Sequence, residues 1–160
     1  MLKVQLSKPD GSHGEWLQLP AEYDRIRRIF TALADEEHPA LLITAAETDI
    51  APMHQFLVGK YVEQRRGIRD MDFLTRRIEG FTEQEKAFGA ALEIEQPSTI
   101  MEMANLSCNL DKFAVYPKVQ NEAELGEYLL NIQVVDEQLL PYVDRRKYGR
   151  DYALSHAGAF

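Results

Sequence analysis

Leu2, Val4 and Leu6 alternate with Lys3 and Gln5, the period of a half-buried strand. Asp10-Gly11-Ser12 predicts a hairpin turn, because glycine accepts the positive φ such turns demand. Residues 15–19 predict the returning strand, with Trp16 as its aromatic anchor; Pro20 stops it and suits the start of a helix. Tyr23, Ile26, Ile29, Phe30 and Leu33 recur at helical spacing. They predict an amphipathic helix with Arg25, Arg27 and Arg28 off its apolar face. Ala40 to Thr44 reads as a third strand. Residues 1–60 are therefore expected to form a small sheet packed on one helix.

The pattern changes at Gly59. Lys60, Arg65, Arg66 and Arg69 cluster around Gly59 and Gly67, with Glu63 and Asp70 diluting their charge. The stretch reads as a solvated connection, or else as a basic patch for an anion. From Asp70 to Cys108 three short helices are expected. Met71, Leu74 and Ile78 mark the first, and Gly80 breaks it. Thr82-Glu83-Gln84-Glu85 is a capping box for the second, whose apolar side is Phe88, Ala91 and Leu92. Pro97-Ser98-Thr99 opens the third, with Ile100, Met103, Ala104 and Cys108 on one face. Phe113 to Tyr116 reads as a strand ended by Pro117. Asn121 caps a further helix with a glutamate, Glu124, at the third position, continued by Leu125, Tyr128 and Leu129.

Charge is unevenly placed along these elements. Residues 79–137 hold 12 acids and 3 lysines, net −9 of the chain's −8. Residues 1–78 are close to balanced and residues 141–160 are net +2. A net charge of −8 excludes a generic nucleic-acid-binding surface, since that affinity comes from cations neutralising phosphates. It allows the reverse relation, competition with nucleic acid for a basic partner. Part of the acidity is helix punctuation. Glu83, Glu85 and Glu102 fall in first turns, where the helix dipole favours a carboxylate by roughly 0.3–1 kcal/mol. Glu93 and Glu95 fall near a helix C-terminus, where the dipole does not favour them.

Other chemistries find little support. His13, His38, His54 and His156 are scattered, with no zinc-ligand spacing to one another or to Cys108. No phosphate-cradling glycine loop or nucleophile elbow is present. Cys108, the single cysteine, reads as a core residue and fits a reducing compartment. Glu93/Glu95 or Asp136/Glu137 could do acid–base work, but nothing in the sequence places either pair in a pocket. No apolar run approaches a membrane span, and residues 1–6 lack the apolar core of a signal peptide, so a cytoplasmic protein is expected.

Three stretches together resemble one family. Gly14-Glu15-Trp16-Leu17-Gln18-Leu19-Pro20 is similar to the G-x-W-x-x-L-P signature of the ArdA-type antirestriction proteins. Leu74 to Gly80, a short acidic helix and then Ala104 to Asp111 resemble the family's central segment. Pro141-Tyr142-Val143-Asp144 with Tyr148-Gly149-Arg150-Asp151 is similar to its C-terminal Y-x-D…Y-[AG]-R-D signature, and Glu124 to Leu129 to the helix before it.

The resemblance implies a protein of mobile genetic elements, elongated and homodimeric. Its carboxylates would imitate DNA phosphates and occupy the DNA-binding groove of type I restriction–modification enzymes. It implies no catalysis, no cofactor, no metal and no direct nucleic-acid binding. The acidic surface would comprise Glu79, Glu83, Glu85, Glu93, Glu95, Glu102, Asp111, Glu122, Glu124 and Glu127. The alternative is a non-catalytic interaction module of a mobile element, binding another basic partner. The expected fold is α+β in three small units: residues 1–60 (sheet plus helix), 61–107 (short helices) and 108–160 (small sheet plus helices).

Overall fold

The computed structural model describes residues 1–158 except 83, 117 and 134. The fold is α+β. Four antiparallel strands, β1 (Leu2–Ser7), β2 (Gly14–Leu19), β3 (Ala40–Thr48) and β4 (Tyr61–Glu63), make one sheet in the order β2-β1-β3-β4. Among the described residues there are seven α-helices, numbered here in chain order. They are α1 (Tyr23–Leu33), α2 (Met53–Leu57), α3 (Arg66–Glu79), α4 (Gln84–Glu95), α5 (Ile100–Ser107), α6 (Glu122–Ile132) and α7 (Arg145–Ser155). The chain divides into two compact units, Met1–Phe113 and Ala114–Phe160.

The first unit has one continuous core. Leu2, Val4 and Leu6 are fully buried, as their alternation requires, and meet Ile26, Ile29, Phe30 and Leu33 of α1. Each such side chain gains about 1.5–3 kcal/mol on burial. The same core runs on through Met71, Leu74 and Ile78 of α3 to Phe88, Leu92 and Met103. The segments read as 1–60 and 61–107 thus share one core. The hairpin turn is as expected: Gly11 has φ 77°, and the Ser12 N–H donates to Asp10 Oδ1 at 2.8 Å. Between Gln5 and Leu6 the pairing with β3 shifts by one residue. At this bulge the buried Ser7 hydroxyl bonds the Thr44 hydroxyl at 2.8 Å.

Several expectations need correction. Trp16 is no anchor. It stands 41% exposed, while Leu17 and Leu19 carry the buried face of β2. Tyr23 is exposed as well, outside the apolar stripe of α1. Residues 60–69 are not a solvated connection. Val62 is fully buried and pairs with Leu41, and a Cβ at Gly67 would lie 2.8 Å from the Val62 Cγ1. This edge strand was hidden because three residues give no readable alternation. Cys108 is exposed, not core; Ser107 takes the buried position one helical turn beyond Ala104, and its hydroxyl donates to the Ala104 carbonyl at 2.6 Å.

The second unit is an α-helical hairpin. Residues 113–116 are not in a strand, and among the described residues of this unit no strand exists. Tyr116 instead packs on Leu125, Leu129 and Ala153, with its ring 4.9 Å from that of Tyr128. Helices α6 and α7 meet backbone to backbone. A Cβ at Gly126 would overlap the Arg145 carbonyl oxygen, and one at Gly149 the Glu122 carbonyl oxygen. Asp144 caps α7 by accepting the Lys147 N–H at 3.0 Å.

Candidate functional site

The expected acidic residues divide by what their carboxylates hold. Glu102 closes a capping box at the start of α5 through one carboxylate oxygen. Its Oε2 accepts the Ser98 N–H at 2.7 Å, the Ser98 hydroxyl at 2.9 Å and the Thr99 N–H at 3.2 Å. These bonds, chiefly the one from the Ser98 hydroxyl, hold its pKa below the usual glutamate value. Glu124 does similar work on α6, accepting the Gln120 N–H at 2.8 Å while Asn121 caps its own N–H at 3.0 Å. Glu122, half-buried, pairs with Arg146 at 3.0 Å.

The remaining described acids face water. Glu79 ends α3, Glu85 lies in the first turn of α4, and Glu93 and Glu95 lie in its last turn. Asp111 sits in a 3-10 turn at Leu110–Lys112, and Glu127 lies in α6. All six are exposed and make no ion pair among the described residues. Lys86, Lys112 and Lys118 are exposed too, and none neutralises them through a salt bridge among the described residues. Glu83 lies outside the described residues. The helix it precedes begins at Gln84, whose side chain accepts the Thr82 N–H at 3.1 Å.

Two of the expected acids come together. Glu95 and Glu102 line one open cleft of about 380 Å³, with Asn105, Asn109, Lys112 and Phe113. Neither asparagine is among the residues expected from the sequence. Their i, i+4 spacing at the end of α5 was the available signal, and Asn109 Nδ2 donates to the Asn105 carbonyl at 2.7 Å. The cleft is open and of mixed lining, with Pro97, Leu106 and Phe113 beside the polar groups, and its lining residues include no nucleophile–base pair. Among the described residues no group of three or more His, Cys, Asp or Glu could hold a metal ion, and no helix is long and apolar enough to cross a membrane.

A family model for the antirestriction protein ArdA matches residues 11–160. The chain belongs to the ArdA family. No curated protein matches it. ArdA proteins are antirestriction proteins, directed against restriction enzymes, and this is the activity that membership brings. The stretches that resembled ArdA signatures have structural reasons here. A Cβ at Gly14 would overlap the Ser7 hydroxyl, so the glycine lets β2 lie close on β1. In Tyr148-Gly149-Arg150-Asp151 the glycine is the α6–α7 contact, and the Tyr148 hydroxyl donates to Gln133 Oε1 at 2.6 Å.

Proposed function

We propose that this ArdA protein inhibits type I restriction–modification enzymes by mimicking DNA, through carboxylates that occupy the enzyme's basic DNA groove. It does so without catalysis, cofactor or direct contact with nucleic acid. The observation that supports this reading most is the state of Glu79, Glu85, Glu93, Glu95, Asp111 and Glu127. They are exposed and unneutralised by any ion pair among the described residues, in the block that carries net −9. Glu102 and Glu124 differ in that one oxygen of each, Oε2, accepts backbone N–H groups at a helix start. Duplex DNA carries about one negative charge per 1.7 Å of axis.

A mimic of this kind distributes its binding over many weak contacts. Each exposed pair is worth about 0.2–1 kcal/mol, so replacing the six acids one at a time with their amides should weaken inhibition by about 1.4- to fivefold per step. Inhibition of DNA cleavage by a purified type I enzyme measures this. Abolition by any single amide would mark a catalytic or lock-and-key site and contradict distributed mimicry.

A further inference from the structure

One charged surface is foreign to this function. On α3, Ile68, Met71, Leu74, Thr75 and Ile78 are buried, and Arg66, Arg69, Phe73 and Arg76 are exposed on the opposite side. At 100° per residue these four fall within an arc of ~80°, and Arg66 to Arg76 spans about 15 Å of helix. Phe73 stands 52% exposed between the arginines. The other arginine of this helix, Arg77, is already held. Its Nε donates to the Ser107 carbonyl at 3.3 Å, and its guanidinium lies 5.9 Å from the Phe81 ring. Among the described residues the Arg69 guanidinium has one ion pair, a long one to its neighbour Asp70 at 3.9 Å. Burying neither Phe73 nor the guanidinium groups, this face adds nothing to the core.

We propose that the outward face of α3 docks an acidic segment of a partner protein, with carboxylates on either side of an apolar residue. Arginines can each grip a carboxylate with two hydrogen bonds, while Phe73 receives the apolar side chain between them. Aromatic and arginine side chains together are the composition of a binding centre between proteins. Charge complementarity selects this occupant over two others. A DNA duplex carries its phosphates far beyond a 15 Å face, onto the rest of a chain of net −8, whereas a short acidic segment stays on the arginines. A second copy packed about a two-fold axis at Phe73 would set arginines against arginines.

The test uses the full-length chain and a fluorescein-labelled peptide of glutamates flanking leucine and phenylalanine. Fluorescence anisotropy should show saturable binding below about 1 mM peptide at low salt, weakening as salt rises. The triple variant Arg66→Gln/Arg69→Gln/Arg76→Gln should bind at least tenfold more weakly, and Phe73→Ala more weakly too, with the circular dichroism and thermal transition of the parent. A peptide with lysine in place of glutamate should not bind. Absence of saturation, or equal binding by the arginine variant, would overturn the proposal. So would tighter, arginine-dependent binding of a short DNA duplex, which reassigns the face to nucleic acid. Arginine-dependent self-association in sedimentation would overturn it in favour of a second copy.

Discussion

A glutamate does two different things in this chain, and its hydrogen bonds tell which. Glu102 closes the N-terminus of α5 together with Thr99, whose hydroxyl accepts the Glu102 N–H at 3.1 Å. Thr99→Ala should therefore lower stability by about 1 kcal/mol, read by urea unfolding, while leaving inhibition of restriction unchanged in the folded protein. The pKa of Glu102 is lowered by its hydrogen bonds, and those of Asp10 and Asp35 are lowered by bonds from Ser12 and His38. A lowered carboxylate contributes stability above its unfolded value and loses it as the pH falls through the folded one. Stability should accordingly decline below about pH 4.5, the ordinary glutamate value. Asp72 has the opposite sign. Burial raises its pKa, against weaker lowering by the Ala21 backbone N–H and Arg76, and its Oδ1 has no partner. Its ionised form costs stability at neutral pH. Asp72→Asn should raise the melting temperature at pH 7, with the gain shrinking as wild-type Asp72 takes up a proton in acid. A lower melting temperature for the variant at pH 7 would refute this.

At the scale of elements, periodicity made some of the fold readable and local brevity hid the rest. The helices α1, α3, α4, α5 and α6 were legible because their apolar positions recur over three or more turns, or because a cap marks the start. The short pieces α2 and β4 carry too few residues to show a period; tertiary packing forms them, through Met53, Leu57 and Val62. Phe113 to Tyr116 has strand-like composition but finds no strand to pair with, so its aromatic side chain packs on a helix instead. Cys108 was misplaced by one step on a helix end: Ser107 continues the buried spacing and the cysteine turns outward. It should react with an aromatic disulfide reagent in the native protein as fast as in urea. The α6–α7 crossing was invisible too, since a sequence shows glycines but not the backbone against them. Gly149→Val should cost about 3 kcal/mol, the upper end for overpacking, because the obstruction is the Glu122 carbonyl and cannot turn aside. Amide exchange in α6 and α7 would rise in that variant, and that in β1 and β3 would stay as in the parent.

At the scale of the whole molecule, the charge distribution was legible from the sequence, but the use of each charge was not. Ten acids were expected to form the partner surface. Glu102 and Glu124 are engaged with backbone N–H groups, Glu122 has an arginine, and Glu83 lies outside the described residues. The six that remain are the carriers of the proposed mimicry. Spacing alone could not separate the groups, because a first-turn glutamate looks the same whether or not its oxygens reach back. The α3 arginines show the same limit: Arg66 and Arg69 are legible as part of a basic cluster, but the outward face they share with Phe73 and Arg76 is not.

In the proposed function these unneutralised carboxylates take the place of DNA on a restriction–modification enzyme. Its most direct test is to titrate the protein into a purified type I methyltransferase complex already holding labelled duplex DNA, at two salt concentrations. DNA should be displaced, and displacement should weaken as salt rises, because both competitors bind the same basic groove through charge. Undisplaced DNA at low salt and micromolar protein, repeated across two or three enzyme families, would contradict it. The acidic surface would then belong to an interaction with some other basic partner.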